Sequence, residues 1–276
     1  MKSVIKSFGD EWIRFDQNKY LCLTERKSQF LRYFNTPHFE KLKSLESIKA
    51  IDIGAGSGRW SKEIFNHFKI KELTLVEPSE SYYQLIKIFN RKNNVKFIKN
   101  SIEDLIDKYP FLEKSFKLVY CFGVLHHTNS IENNLSKICN LLESDGILFC
   151  YLYYDLDNRN FIYKFIFSLT ILPRIIISRL PNNFKNFICD LIAFFIYLPL
   201  VNLAKIFPRQ KNIPLHGYID RSFFSIRTDS RDRFGTKIEK RISKNNIKKL
   251  CTQNNLDEIY FSEKYPYWVF SARKKD

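Results

Sequence analysis

The residues best suited to chemistry lie in one short stretch, residues 49–60, where an acid is followed by alternating glycines. Asp52 ends an apolar run, and Gly54, Gly56 and Gly58 follow at every second position. Because glycine has no Cβ atom, such a turn lets the backbone approach a small ligand closely. Asp52 can accept a hydrogen bond from a cation. The pattern predicts a ligand-binding turn, although a tight turn in any α/β protein has the same local signature.

A second acid follows the next apolar run, residues 73–76. Glu77 stands at the end of that run. An acid at the tip of the second strand of a doubly wound sheet can accept hydrogen bonds from both hydroxyls of the ribose of an adenosine. The spacing Gly-x-Gly-x-Gly differs from the dinucleotide fingerprint, and no Gly-Lys-Ser/Thr follows it as in a P-loop. The two acids and the glycines therefore favour a nucleoside ligand of another kind.

These segments resemble the motifs of a known enzyme family. Residues 52–58 (Asp-Ile-Gly-Ala-Gly-Ser-Gly) and 76–78 (Val-Glu-Pro) resemble the first two motifs of class I S-adenosylmethionine-dependent methyltransferases, particularly the type 11 group that includes the ubiquinone/menaquinone C-methyltransferases. The resemblance continues, in the family's order, through residues 95–98, 116–128 and 141–148. It implies a Rossmann-like fold, methyl transfer, and S-adenosyl-L-methionine as the cofactor.

The resemblance also implies a set of cofactor-binding residues at the ends of the first four strands. They are Asp52, Gly54, Gly56, Gly58, Arg59, Trp60, Glu77, Pro78, Ser101, Ile102, Glu103, Cys121, Phe122 and Gly123. Ser101 departs from the family, which usually has an Asp near the adenine, but a hydroxyl can still bond the adenine amino group. The usual Pro-Gly-Gly turn before the fifth strand is Ser144-Asp145-Gly146, which has acceptable turn residues.

Methyl transfer places modest demands on catalytic side chains. The reaction is an in-line displacement, so positioning and exclusion of water supply much of the rate, and a base is needed only if the acceptor loses a proton. His126 and His127 follow the fourth predicted strand and Tyr153 follows the fifth, so they are the catalytic candidates. Alternatively, one histidine contacts the methionine moiety and the other caps the next helix. No metal-ligand motif is visible.

Acceptor-binding candidates gather around the return from a long insertion, together with one aromatic residue near the N-terminus. They are Trp12, His216, Arg221, Arg227, Asp232 and Arg233. A salt-bridge cluster that fixes a cap over the site is an equally good interpretation of the charged members.

The alternation of apolar runs and helical patterns predicts an α/β fold with a parallel sheet and helices on both faces. By resemblance, it is a doubly wound, seven-stranded sheet with an antiparallel last strand. Predicted strands lie near 49–53, 73–77, 95–98, 117–122, 146–152, 257–262 and 268–273. Predicted helices lie near 59–68, 79–91, 102–107, 131–142 and 244–254, the last capped by Ser243.

The chain divides into four predicted parts: an N-terminal helical cover (1–48), the cofactor-binding core (49–154), an apolar helical insertion (155–235) and the completion of the sheet (236–276). Helical spacing in the first part favours amphipathic helices docked on the sheet. The alternative is a cover over the substrate mouth with Trp12 or Phe15 as a wall. We expect the insertion to decide acceptor choice and not cofactor binding.

The insertion is dense in Phe, Ile and Leu. Charges and Pro173, Pro181, Pro199 and Pro208 interrupt it, and its longest uncharged run, residues 191–204, is shorter than the roughly 20 residues of a membrane span. This predicts about three apolar helices that cap the site, lie in a membrane interface or form a subunit contact. It also predicts an acceptor that is apolar, or carries an apolar anchor, held beneath the insertion.

Composition limits the other function classes. The 276 residues carry a net charge of +16 and are 45% hydrophobic, which suits one domain with an insertion. Because the basic residues are spread along the chain, we expect no nucleic-acid partner. The six cysteines form no CxxC pair and are typical of free thiols in a cytosolic protein. No apolar leader is visible, so we expect a cytoplasmic protein, with a peripheral membrane location as the alternative.

Further segments extend the resemblance to an uncharacterised bacterial subgroup of these methyltransferases. They are residues 8–12, 151–154, 157–159, 221–224, 232–236, 261–262 and 265–268. The overall hypothesis is an S-adenosylmethionine-dependent methyltransferase with a small-molecule acceptor that could be lipid-, quinone- or glycan-linked. Two alternatives are an RNA methyltransferase, suggested by charge, and a non-catalytic S-adenosylmethionine-binding module. The sequence leaves the oligomeric state open.

Overall fold

The computed structural model describes residues 2–210, 212–262 and 267–276, so part of the predicted motif at 265–268 lies outside the described residues. Its centre is one sheet. The strands are β1 (Ile48–Ile53), β2 (Ile70–Val76), β3 (Val95–Ile98), β4 (Phe116–Phe122), β5 (Leu142–Leu152), β6 (Leu256–Phe261) and β7 (Trp268–Lys274).

The strand order is β3-β2-β1-β4-β5-β7-β6. β1 pairs in parallel with β2 and β4, whereas β7 runs antiparallel to both β5 and β6. The predicted seven-stranded, doubly wound sheet with an antiparallel last strand is therefore confirmed. The order reverses between β1 and β4, and in such sheets a ligand crevice opens at the C-terminal strand ends beside that reversal.

Helices cover both faces of the sheet because its central strands are apolar on both sides. On one face lie α5 (Arg59–His67) and α6 (Tyr82–Phe89). On the other face lie α7 (Ile102–Lys108), α8 (Ile131–Asn140) and α14 (Lys244–Gln253). As predicted, Ser243 caps α14: its Oγ accepts a hydrogen bond from the Asn246 N–H at 3.2 Å.

Four helices precede β1. They are α1 (Lys2–Arg14), α2 (Gln17–Tyr20), α3 (Leu23–Tyr33) and α4 (Pro37–Lys43). α3 docks on the sheet through aromatic rings: Phe34 lies 4.3 Å from Phe30 and 4.5 Å from Phe149 between ring centroids. This part of the chain therefore follows the docked-helix prediction, whereas α1 crosses the C-terminal edge of the sheet.

The insertion forms a separate layer of helices. It contains α9 (Phe161–Leu169), α10 (Ile171–Ile177), α11 (Asn182–Ile192), a π-helical segment (Ala193–Tyr197), α12 (Leu198–Ile206) and α13 (Phe223–Gly235). Pro181 precedes α11 and Pro208 follows α12, as the sequence predicted. Pro199, however, lies inside a continuous helix. Its ring would crowd the carbonyl four residues earlier, and the wider π turn immediately before it accommodates the ring.

The continuous helix Asn182–Ile206 is 25 residues long, and by length and composition it could cross a membrane. The prediction that no segment is long enough was therefore wrong, because it treated Pro199 and isolated charges as helix breaks. Only 28% of the helix's apolar window is buried. Its inward side packs on Ile226 and Phe234 of α13 through Cys189, Ala193 and Val201.

A buried cation joins this layer to the N-terminal helix. Arg231 of α13 is almost fully buried. Its guanidinium donates to Asn186 Oδ1 at 2.7 Å and to Ser7 Oγ at 3.2 Å, and lies 3.7 Å from a carboxylate oxygen of Glu11. Three separate segments thus depend on one side chain.

We predict that Arg231→Ala lowers the free energy of unfolding by about 3–5 kcal/mol, because it removes one partner of a buried charged network. Arg32→Ala, which removes a surface pair with Asp220, should cost about 0–1 kcal/mol. Urea unfolding followed by circular dichroism measures both. Equal losses in the two variants would show that Arg231 does not hold these segments together.

Candidate functional site

The glycine turn after β1 has a backbone that other residues would strain. Gly54 and Gly56 have φ angles of +76° and +54°. A Cβ atom at Gly54 would lie 2.3 Å from a methyl group of Val124, and one at Gly56 would lie 3.0 Å from the Trp12 indole. Both glycines are therefore required by close packing as well as by backbone angle.

Glu77 is held rigidly beside this turn. It is buried, and its two carboxylate oxygens accept hydrogen bonds from the Gly56 N–H (2.8 Å) and the Ser79 N–H (2.9 Å). Each carboxylate oxygen has further acceptor capacity. Glu77 can therefore still accept hydrogen bonds from a pair of ligand hydroxyls, as its position predicted.

A pocket, here called the first pocket, opens above the ends of β1, β2 and β4. The residues that line it are Val4, Ile5, Phe8, Trp12, Ile53, Gly54, Val76, Glu77, Pro78, Asn100, Ser101, Ile102, Glu103, Phe122, Gly123, Val124, His127 and Thr128. An acid between apolar walls, above a turn without Cβ atoms, suits an adenosine group: Glu77 for the ribose and the apolar side chains for the ring.

Not every predicted cofactor residue lines this pocket. Asp52, Gly56, Gly58, Trp60 and Cys121 lie behind its walls. Asp52 is buried and accepts a hydrogen bond from Ser61 Oγ at 2.5 Å, and burial raises its pKa to about 7. In this structure it supports the turn from beneath; its predicted contact with the cofactor stays a prediction. Asn100 lines the pocket and was missed.

The N-terminal helix forms the roof of the site. Val4, Ile5, Phe8 and Trp12 share one face of α1 and line the first pocket. The alternative interpretation of this segment, a cover with Trp12 as a wall, therefore describes α1 better than simple docking does. Phe15 is not a wall: it is buried, with its ring centroid 5.9 Å from that of Phe224.

A second pocket adjoins the first. The two share Phe8, Trp12, Phe122 and Gly123. Its other lining residues are Glu11, Gln17, Gln29, Tyr33, Arg59, Tyr151, Tyr218, Arg221, Ser225, Thr228, Asp229, Asp232 and Tyr267. The second pocket is thus polar, with aromatic walls, and carries three carboxyl groups.

The structure brings three of the six acceptor candidates, Trp12, Arg221 and Asp232, to the second pocket. Arg227 instead makes a two-pronged pair with Asp190, at 3.1 and 2.8 Å. This pair matches the salt-bridge interpretation.

The other two candidates, His216 and Arg233, line neither pocket. The His216 ring lies in an exposed turn, with Nε2 2.7 Å from the carbonyl oxygen of Pro208.

Sequence reasoning missed several lining residues, of which Glu11 is the most unusual. Its pKa is raised to about 8 by burial and by Asp232 nearby, against the opposing effect of Arg231. It lies within the segment 8–12 that carried the subgroup resemblance, which was the available signal. Gln17 and Gln29 gave none.

The catalytic candidates separate in the structure. His126 is fully buried, lines neither pocket, and stacks on Tyr153 with ring centroids 3.8 Å apart. Burial moves its pKa well below the ordinary value, and among the described residues neither ring nitrogen has a hydrogen-bond partner. His126 therefore packs under the site.

His127 lines the first pocket with a defined tautomer. Its Nδ1 lies 2.6 Å from the Ile238 carbonyl oxygen. A carbonyl only accepts, so Nδ1 carries the proton and Nε2, 3.7 Å from Asp232 Oδ1, has the free lone pair. Burial lowers the pKa of His127, which favours this neutral form.

Asp232 is the point where these side chains meet. The Tyr153 hydroxyl donates to its Oδ2, and burial raises the pKa of Asp232 above the ordinary value. Tyr153 itself lines neither pocket, so it acts by positioning Asp232. Among the described residues, no cluster of three or more His, Cys, Asp or Glu side chains has the arrangement of a metal site.

Residues 51–150 match the family described as "Methyltransferase domain". The chain is also 25% identical, over 142 residues, to a tRNA U34 carboxymethyltransferase of Campylobacter curvus; the match covers 50% of this chain and 43% of that protein. This chain therefore spans less than half the length of that relative.

Solved structures of low identity share the fold. The magnesium protoporphyrin IX methyltransferase of Synechocystis, solved with S-adenosylhomocysteine, is 11% identical, with a TM-score of 0.53 over 100% of both chains. A putative methyltransferase of Haloferax volcanii, in complex with a methyltransferase activator, is 12% identical, with a TM-score of 0.52 over 95% of this chain and 98% of that one. Residues 51–150 of the chain therefore form a class I methyltransferase domain, and its cofactor is S-adenosylmethionine.

Proposed function

We propose that the protein transfers the methyl group of S-adenosylmethionine to a small polar molecule in the second pocket. One observation carries the proposal. A polar, aromatic-walled pocket adjoins the first pocket through Phe8, Trp12, Phe122 and Gly123, and holds a carboxyl group, Asp232, whose orientation the Tyr153 hydroxyl fixes.

The cofactor supplies an electrophilic methyl group on a sulfonium. Glu77 binds the ribose hydroxyls, and Ser101 and Glu103 lie at the adenine end by resemblance. Phe8 and Trp12 of α1 lie where the two pockets meet, so they exclude water from the region of transfer. The chain thus contributes position and desolvation, which suit an in-line displacement.

Asp232 is the base when the acceptor must lose a proton. An acid whose pKa is raised binds a proton more readily than an ordinary Asp, which improves it as a base near neutral pH. Tyr153 and His127 hold it in place, one by a hydrogen bond and one by its Nε2 at 3.7 Å. This assigns Asp232 a chemical role, whereas the sequence suggested acceptor binding.

The pocket's lining favours a polar acceptor. Gln17, Gln29 and Ser225 offer amide and hydroxyl groups, and Tyr33 and Tyr267 offer aromatic faces. This combination suits a hydroxylated or glycan-like molecule, including one linked to a carrier. The predicted apolar acceptor beneath the insertion fits less well: Phe165, Ile176, Phe194 and Phe195 are all exposed and line neither pocket.

One observation favours a second candidate. The relative at 25% identity is described as a tRNA U34 carboxymethyltransferase, so an RNA acceptor is the alternative. The lining of the second pocket supports the small molecule, because its polar groups lie beneath α1 and beside α13, where an enclosed ligand would contact them. Labelling distinguishes the two.

We predict that Glu77→Gln weakens S-adenosylmethionine binding by about 2–4 kcal/mol, because a neutral amide replaces a charged acceptor of two hydroxyls. Isothermal titration calorimetry measures the affinity. Glu72→Gln, farther back on β2, is the matched control and should bind normally. An unchanged affinity in Glu77→Gln would contradict the assignment of this pocket to the cofactor.

We also predict that purified protein incubated with methyl-labelled S-adenosylmethionine transfers label to the small-molecule fraction of a cell extract. Asp232→Asn should reduce transfer at least about 100-fold, because the base is lost. Its cofactor affinity should stay within a few-fold. Asp220→Asn, whose side chain is 74% exposed, is the control.

In wild type, transfer should rise with pH through the raised pKa of Asp232, because only the ionised carboxylate accepts a proton. Label in the tRNA fraction and not in small molecules would contradict the proposal. Full activity in Asp232→Asn would remove its role as base.

A further inference from the structure

The most unusual surface of the molecule is the outward side of the insertion. Of the 26 large apolar side chains that are exposed among the described residues, 18 lie between residues 161 and 207. Phe161, Phe195 and Ile206 are 81%, 68% and 70% exposed. Soluble proteins seldom expose so large an apolar patch unless it binds something. We call it the apolar face.

The apolar face follows from the pattern of the long helix. Its inward side packs on α13, whereas Phe184, Phe187, Leu191 and Phe195 project from the outward side. A helix on the surface of a globular protein normally has polar residues there. Apolar residues on both sides indicate that water is not the partner of the outward side.

Basic side chains surround the apolar face. Lys164, Arg179, Lys205 and Arg209 are exposed, and among the described residues none of them pairs with an acid. Asp190, the one acid between residues 161 and 209, is already paired with Arg14 at 2.6 Å and Arg227 at 2.8 Å. The layer therefore combines apolar side chains with uncompensated positive charge.

We propose that the apolar face inserts into the interface of an anionic lipid bilayer, with its helices parallel to the membrane plane. Amphipathic surfaces that bind in this way combine large apolar side chains with Lys and Arg that meet anionic headgroups. A second copy of the chain is the weaker occupant. A symmetric dimer would bring the same basic side chains together without acids to neutralise them.

The polar contacts of the long helix explain why it lies on the membrane and does not cross it, although its length would allow a span. Ser230 Oγ donates to the Cys189 carbonyl at 2.8 Å, and Arg231 donates to Asn186 at 2.7 Å. With the pairs of Asp190, these bonds fix the helix's inward side to α13. A spanning helix would leave these groups without partners in hydrocarbon.

Flotation of the full chain with vesicles tests the proposal, and it needs no acceptor or cofactor. Wild type should float at physiological salt with vesicles of phosphatidylcholine and phosphatidylserine, and at least tenfold less with phosphatidylcholine alone. Phe187→Glu combined with Phe195→Glu should abolish flotation. Phe111→Glu, at a site outside the insertion that is 72% exposed, should float like wild type.

Charge is tested separately. Lys164→Gln with Lys205→Gln should weaken binding to anionic vesicles about fivefold for each cation removed. Lys69→Gln with Lys108→Gln is the control outside the insertion. Circular dichroism checks that each variant folds. No flotation of wild type, or a dimer that Phe195→Glu dissociates and that ignores vesicles, would overturn the proposal. Flotation independent of phosphatidylserine would overturn its charge component.

Discussion

The site depends on the hydrogen bonds that Glu77 accepts from two turns. One comes from the Gly56 N–H at 2.8 Å and the other from the Ser79 N–H at 2.9 Å. The first bond requires the left-handed backbone of Gly56, and Trp12 packs where that residue has no side chain. A single carboxylate thus fixes the turn after β1, the turn after β2 and, through Gly56, the place of the cover. Any larger residue at 56 would displace Trp12 and open both pockets together.

Helix α13 carries the second half of the site, because its two sides serve different neighbours. Ser225, Thr228 and Asp232 face the second pocket, whereas Ile226 and Phe234 pack under the insertion. A helix between a polar pocket and an apolar layer has no solvent-facing stripe of the usual kind. This is why its periodicity gave little information, although its individual charged residues did.

The sequence predicted what depends on local rules. The strands, the glycine turn, Glu77 and the cap at Ser243 follow from periodicity and residue type, and the structure places them as expected. The roles of Tyr153 and Arg227 could not be predicted, because their partners, Asp232 and Asp190, lie far away in the chain. Pro199 misled the analysis of the insertion because a π turn, which has no sequence signal, absorbs its effect.

The structure also changes the expectation that the insertion decides acceptor choice and leaves cofactor binding alone. α1 roofs the first pocket, and its polar contacts run to the insertion layer: Ser7 to Arg231 at 3.2 Å, Arg14 to Asp190 at 2.6 Å, and Asp10 to Asn182. Loss of those partners would loosen α1, and Phe8 and Trp12 would then leave the walls of both pockets. Cofactor affinity and acceptor binding therefore depend on the same helix, and the insertion supports both through it.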